Sequence, residues 1–306
     1  MLLERLIAAS GGLFLGLEPE DSAYPNAHVI VVPVPYDGTS TYQKGADRGP
    51  AALLEASAQV ELYDMETHSQ VHGLGICTLA PLPCEANEDP CGLALRVEEV
   101  VGGLLDAGRF PVVLGGEHSI SIGALRAAQA RLQGLTIVQV DAHADTREEY
   151  HGSPCNHACV MARAREGGPV IQVGIRSLDV TELPGLDPAR VHPAHRIHRD
   201  PDWVERVAAQ LTPLTWLTID LDGLDSSQMP ATGTPEPGGL TWVQVMDLIR
   251  RVSRDSRVVG LDVVELKPIP GNGAPDFLAA RLIHRTLSEV FRDHPAVRVP
   301  GPAPLA

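Results

Sequence analysis

The strongest constraint on this chain is a set of short, continuous apolar runs rich in Val and Ile. They are residues 28–34 (HVIVVPV), 110–115 (FPVVLG), 135–140 (LTIVQV), 169–175 (PVIQVGI), 214–219 (LTWLTI) and 257–264 (RVVGLDVV). A strand with one wet face alternates polar and apolar residues. Runs without that alternation read as strands covered on both faces. Between them, amphipathic stretches at helical spacing cover 91–108, 120–133, 157–166, 202–211, 241–254 and 275–292. In 241–254, Val243, Val245, Met246, Leu248, Ile249 and Val252 share one stripe, and Thr241 is placed to cap the helix. Strand alternating with helix predicts an α/β fold. Its expected form is a three-layer α/β/α with a central, mostly parallel sheet.

No internal repeat and no linker with shifted composition divides the chain, so one domain is expected over residues 1–306. Residues 1–27 read as an N-terminal extension. Residues 294–306 (HPAVRVPGPAPLA) read as a loose tail, with prolines and little to bury. The balance of 24 basic against 39 acidic side chains leaves a net charge of −15. That excludes a nucleic-acid binder, which needs clustered Lys and Arg, and disfavours an anionic membrane surface. Cationic or neutral partners are expected instead. Five cysteines, at 77, 84, 91, 155 and 159, form no C-x-x-C pair and are odd in number, which predicts a reduced, intracellular protein. Glu4 spoils the basic start of a secretory leader, and no run reaches the roughly 18 apolar residues of a membrane span. A cytoplasmic location is expected.

In an open parallel sheet, ligands bind beyond the carboxyl ends of the strands. Here FPVVLG is followed by Gly116-Glu117-His118-Ser119, LTIVQV by Asp141-Ala142-His143-Ala144-Asp145, and LTWLTI by Asp220-Leu221-Asp222. In extended chain, residues i, i+2 and i+4 point the same way, so Asp141, His143 and Asp145 can face one point, as can Asp220 and Asp222. A lone D-x-D at a strand end is commonly a turn or cap; three such groups after three strands point to a shared site. So many carboxylates cannot stay ionised together without cations. Two divalent metals resolve this, and oxygen-rich ligation with some imidazole suits Mn²⁺ better than Zn²⁺. Ions about 3.5–4 Å apart can activate water at neutral pH for attack on carbon or phosphorus.

The motifs GGEHS (115–119), DAHAD (141–145) and TIDLDGLD with PATGTPEPGG (218–239) resemble those of the ureohydrolases, the superfamily of arginases and agmatinases. The resemblance runs from VPVPYDGTSTYQKGADRGP (32–50) to GLDVVELKP (260–268). It implies one manganese on His118, Asp141, Asp145 and Asp220, and another on His143, Asp141, Asp220 and Asp222. It implies an arginase-like sheet of about eight strands, and hydrolysis of a guanidino group to urea and an amine. His157 matches the family's proton-shuttling histidine, which would protonate the leaving amine. Glu265 matches the acid that pairs with the substrate guanidinium through two hydrogen bonds. A homo-oligomer, trimer or hexamer, is implied too, with Ni²⁺ as the second choice of metal. Two positions depart from the pattern: Glu117 replaces a common Asp, and Ser226 replaces the Pro that usually follows Asp225.

The loop Thr146-Arg147-Glu148-Glu149-Tyr150-His151-Gly152 lacks the Asn and Ser groups with which arginases hold an amino acid and resembles the agmatinase loop. Glu148 and Glu149 would welcome an amine and repel a carboxylate. Agmatine, yielding putrescine, is therefore the expected substrate. The alternative is N1-aminopropylagmatine, yielding spermidine, because VHPAHRIHRD (191–200) resembles a bacterial subgroup acting on that longer compound. Guanidinobutyrate, arginine and guanidine remain further candidates. His192, His195 and His198 lack carboxylate partners and read as structural, as do Cys155 and Cys159 beside His157. A single-zinc deacetylase would need fewer carboxylates, and a non-catalytic, metal-stabilised subunit would need a broken ligand set.

Overall fold

The computed structural model describes residues 2–10, 14–85 and 87–299. Eight strands form one sheet: β1 (Val29–Val34), β2 (Ile76–Thr78), β3 (Phe110–Gly115), β4 (Leu135–Val140), β5 (Val170–Val173), β6 (Val191–His192), β7 (Leu214–Asp220) and β8 (Arg257–Val264). Their order is β2-β1-β3-β8-β7-β4-β5-β6. Every neighbouring pair is parallel, so the sheet is wholly rather than mostly parallel. β2 and β6 escape the sequence reading because strands of three and two residues carry no periodic signal. As edge strands they are short, which limits pairing with another chain.

The continuous apolar runs feed two cores, one on each face of the sheet. Along β1, Val29 and Val31 join one core, while Ile30, Val32 and Val34 join the other. The helices Trp242–Asp255 and Ala274–Val290 cover the first face, and Pro90–Asp106 and Ser121–Arg131 cover the second. Each fully buried Val, Leu or Ile contributes roughly 1.5–3 kcal/mol, so β1 is held from both sides.

Thr241 caps its helix in a reciprocal arrangement with Gln244, as expected. Val243, however, is 63% exposed and leaves the buried stripe. A helix over Gly49–Ser57 has no counterpart among the sequence-predicted elements, and Leu2–Ala8 in the N-terminal extension is helical too. In the expected loose tail, Pro295–Val297 form a tight turn and Val297 is buried. Residues 300–306 of that tail lie outside the described residues.

The cysteine expectation needs correction. Cys91 and Cys155 form a disulfide across a sequence separation of 64, while Cys77, Cys84 and Cys159 are free. The bond ties the first turn of helix Pro90–Asp106 to the loop after β4. Sequence spacing could not reveal a pair that only the fold brings together.

Candidate metal centre

Four adjacent central strands, β3, β8, β7 and β4, end at one cavity of about 340 Å³. Its lining includes His118 after β3, Glu265 after β8, Asp220 and Asp222 at the end of β7, and His143 and Asp145 after β4. Gly116 lets this edge close: a Cβ there would fall 1.9 Å from the Tyr36 carbonyl oxygen, so any larger residue would push away the loop after β1. That loop is held by Gly116 and Glu117, whose N–H groups donate to the carbonyls of Val34 and Tyr36.

His118 is oriented from behind. Its Nε2 lies 2.9 Å from Thr218 Oγ1, and Thr218 donates to Asp262 Oδ1 at 2.7 Å. Ser121 and Trp216 also donate to Asp262. With Thr218 committed to Asp262, it accepts from Nε2–H, which leaves Nδ1 as a lone pair. That buried Nδ1 has no hydrogen-bond partner, yet it sits 3.2 Å from Asp141 Oδ2, 2.9 Å from Asp145 Oδ2 and 3.5 Å from Asp220 Oδ2. A lone pair facing three carboxylates is repulsive unless a cation or proton lies between them. His143 Nδ1 lies 3.0 Å from Asp222 Oδ2 and 3.7 Å from Asp141 Oδ1. Two compact donor groups result: His118, Asp141 and Asp145; and Asp141, His143 and Asp222. Asp141 belongs to both. The donors fit two cations, and a buried imidazole with a fixed outer nitrogen, as at His118, is what metal ligation needs.

Without cations these groups can coexist only by sharing protons. Burial and the Asp141 charge push the Asp145 carboxyl up to about 7. Burial opposes the charge on His143, but Asp222 and Asp141 outweigh it and raise that imidazole to about 12. Burial, then the charges of Asp222, Asp141 and Glu265, holds Asp220 well above the usual carboxylate range.

The six sequence-predicted ligands therefore converge, but not by the alternation invoked for them. β4 stops at Val140, and Asp145 has a left-handed φ of 53° that folds its side chain back toward His118. Leu221–Gly223 form a tight turn in which Asp220 accepts from Asp222 N at 2.9 Å. Supporting residues missed by the sequence reading are Gln139, Thr218 and Asp262. Gln139 donates to Asp141 Oδ2 at 2.7 Å and is in turn held by Gln172. The available signal was a polar residue inside an otherwise apolar run, as in LTIVQV and RVVGLDVV.

Glu265 also adopts a left-handed φ, of 68°, and its Oε1 accepts from His118 N at 2.8 Å. Burial, then the Glu117 charge, raises its carboxyl well above the usual range. His157 lines the same cavity and meets Thr39. Burial, then repulsion from His118 and His143, lowers it to about 4. Glu117 lies behind the site, fully buried, and accepts from Ser119 and Thr39.

The expectation for Glu148 and Glu149 is overturned. Glu148 is paired with Arg163 and Arg165, its side chain 67% exposed, and neither glutamate lines the cavity. The acidic wall comes from Asp179 and Glu182 instead, beside Arg147 and Tyr150. Arg147 stacks over Tyr150 at 4.6 Å and reaches Glu182 at 3.7 Å and Asp179 at 4.0 Å. Two carboxylates against one guanidinium leave this wall with a net negative charge. His192 meets Gln210, and His198 meets the Gly238 carbonyl; neither they nor His195 lie in the cavity.

A family model described as the arginase family matches residues 27–288. The chain is 41% identical over 277 residues to the N(1)-aminopropylagmatine ureohydrolase of Synechocystis, covering 87% of this chain and 90% of that protein. It is 38% identical over 271 residues to the protein of the same name from Thermus thermophilus, covering 88% and 92%. The agmatine ureohydrolase structure of Thermoplasma volcanium superposes with a TM-score of 0.81 at 30% identity, over 94% of this chain and 98% of that one.

Proposed function

The chain belongs to the arginase family, and from that premise we propose that it hydrolyses N1-aminopropylagmatine to spermidine and urea. The observation that carries the reaction class is the pair of donor groups sharing Asp141, set beside Glu265 and His157 in one cavity. Hydrolysis of guanidino groups is common to the named relatives. Agmatine, favoured by the sequence reading, now ranks second. The relatives at 41% and 38% identity carry the aminopropylagmatine name, whereas the agmatine ureohydrolase structure stands at 30%.

Two divalent cations held by the two groups would supply the Lewis acidity that activates water and stabilises developing charge. We assign manganese to them on the oxygen-rich donor set. Glu265 receives the guanidinium: its carboxylate accepts two N–H groups in a planar fork and orients the carbon within the cavity. Its left-handed backbone turns the carboxylate into the cavity. Water adds to the carbon and gives up a proton, which His157 takes and carries to the departing nitrogen as the C–N bond to the alkyl chain breaks. Urea and a protonated amine leave. Asp179 and Glu182 face the cationic tail, and Tyr150 and Leu178 lie against its methylenes.

A further part of the reading is a homo-oligomer, a trimer or hexamer, read by sedimentation, formed from a single-domain chain in the cytoplasm. Among the described residues no helix is long and apolar enough to cross a membrane.

The test is urea release by the manganese-loaded protein from N1-aminopropylagmatine, agmatine, guanidinobutyrate, arginine and guanidine. The highest kcat/KM is expected for N1-aminopropylagmatine. A higher value for agmatine would restore the shorter substrate, and no urea from any compound would overturn the function.

A further inference from the structure

His157 is held by a residue far from it in sequence. Thr39, in the loop after β1, places its Oγ1 3.0 Å from His157 Nδ1 and 3.0 Å from the His157 backbone nitrogen. The backbone N–H can only donate, so it occupies one lone pair of the hydroxyl. The hydroxyl keeps one hydrogen and one lone pair for Nδ1, so it accepts from Nδ1–H when that nitrogen is protonated and donates to it when it is not. Either way Nδ1 is engaged by Thr39, and Nε2 is left to take up and pass on a proton. Thr39 is itself fixed: its backbone N donates to Glu117 Oε1 at 3.3 Å, and Glu117 is pinned by Ser119 at 2.8 and 2.7 Å. Here the departure from the family pattern acquires a role. The longer Glu117 caps the turn at His118 with one oxygen and holds the Thr39 loop with the other. Tyr150 adds an edge-on ring contact, 6.0 Å between centroids, on the cavity side.

We propose that Thr39 is a positioning residue for the reaction: its hydroxyl holds Nδ1 of His157 and so aims the other ring nitrogen, Nε2, at the departing amine. This rests on the reading of His157 as the proton donor. The bond costs the enzyme no reorganisation at the moment of proton transfer, because one hydroxyl clamps backbone and ring together. Thr39 touches neither the donor groups nor the guanidinium, so its loss should leave metal content and substrate affinity unchanged.

The experiment has two arms. In the first, Thr39→Val, which keeps the shape and removes the hydroxyl, and Thr39→Ser, which keeps the hydroxyl, are compared in the intact protein and in His157→Ala. Thr39→Val is expected to lower kcat about 10- to 100-fold, within what a positioned acid contributes, with KM and bound manganese unchanged. Thr39→Ser should restore most of that loss, and Thr39→Val should cost nothing further in His157→Ala. An unchanged kcat in Thr39→Val, or an equal further loss in His157→Ala, overturns the proposal. In the second arm, ring ¹⁵N shifts of the metal-free protein, assigned by His157→Ala, report the Thr39 contact without any substrate. The Nδ1 resonance is expected to shift in Thr39→Val and to return in Thr39→Ser, and an unchanged Nδ1 resonance in Thr39→Val overturns the proposal. If no guanidine yields urea while Nδ1 responds in this way, the substrate reading falls and the clamp stands.

Discussion

The floor of the cavity and its rim are built differently. The floor is four neighbouring strand ends, where His118 and Asp141 are braced by the buried partners Thr218 and Gln139. The rim is loops: Ser40 to Gln43, Arg147 to Ala158, and Ser177 to Glu182. On the floor, residue type and position along a strand decide the chemistry together. On the rim, residue type alone misleads, because a loop can turn its charge outward. Glu148 does so, meeting Arg163 and Arg165, while Asp179 and Glu182, farther along the chain, face in.

The sharpest way to break this division is Asp141→Ala. It removes the carboxylate shared by both donor groups and should abolish metal pairing and urea release together, a larger effect than the ~10–100-fold of losing a supporting residue. Metal content by atomic emission alongside turnover checks it; two retained ions would show that the floor does not depend on Asp141. Next in size is the anchor of the rim. Cys91→Ser opens the only disulfide among the described residues and, with its 64-residue separation, should lower stability by about 4 kcal/mol. Urea denaturation measures it. A parallel drop in metal affinity would mean that rim and floor are not separable. Thr218→Val leaves His118 Nε2–H unpartnered and should weaken metal binding ~10–100-fold while preserving the sheet. Calorimetry with Mn²⁺ reads this, and an unchanged affinity would remove Thr218 from the support of His118. The smallest effects belong to single rim charges. Asp179→Asn should raise KM for N1-aminopropylagmatine about threefold, because one of the two carboxylates of the acidic wall loses its charge. Glu148→Ala should leave KM within about twofold, an exposed pair contributing little. The reverse ranking would return Glu148 to the substrate side.

What was legible in the sequence follows the same division. The apolar runs announced a parallel sheet because strands covered on both faces need no polar alternation, and the donor types announced cations because clustered carboxylates repel. The grouping of His118 with Asp141, Asp145 and Asp220 was implied by the family resemblance, and its geometry was not readable. A backbone reversal at Asp145 and a turn at Leu221 do what extended chain was supposed to do. Gln139 and Asp262 were hidden because buried polar residues inside strands count as noise in an apolar pattern until their partners are seen. The Cys91–Cys155 bond and the Thr39–His157 contact join residues 64 and 118 positions apart, and no local rule links such pairs.

The position of β8 has a consequence for how the chain is made. It is the last strand in sequence, yet it lies between β3 and β7 in the middle of the sheet. Until residue 264 has been synthesised, the chain can assemble only two part-sheets, β2-β1-β3 and β7-β4-β5-β6, each with an open apolar edge where β8 will enter. Such edges invite pairing with other chains. A truncation before Arg257 therefore does more than shorten a helical end. It removes the keystone, leaves two sticky borders, and strips the cavity of Glu265, so soluble expression and catalytic competence should vanish at the same point along the chain.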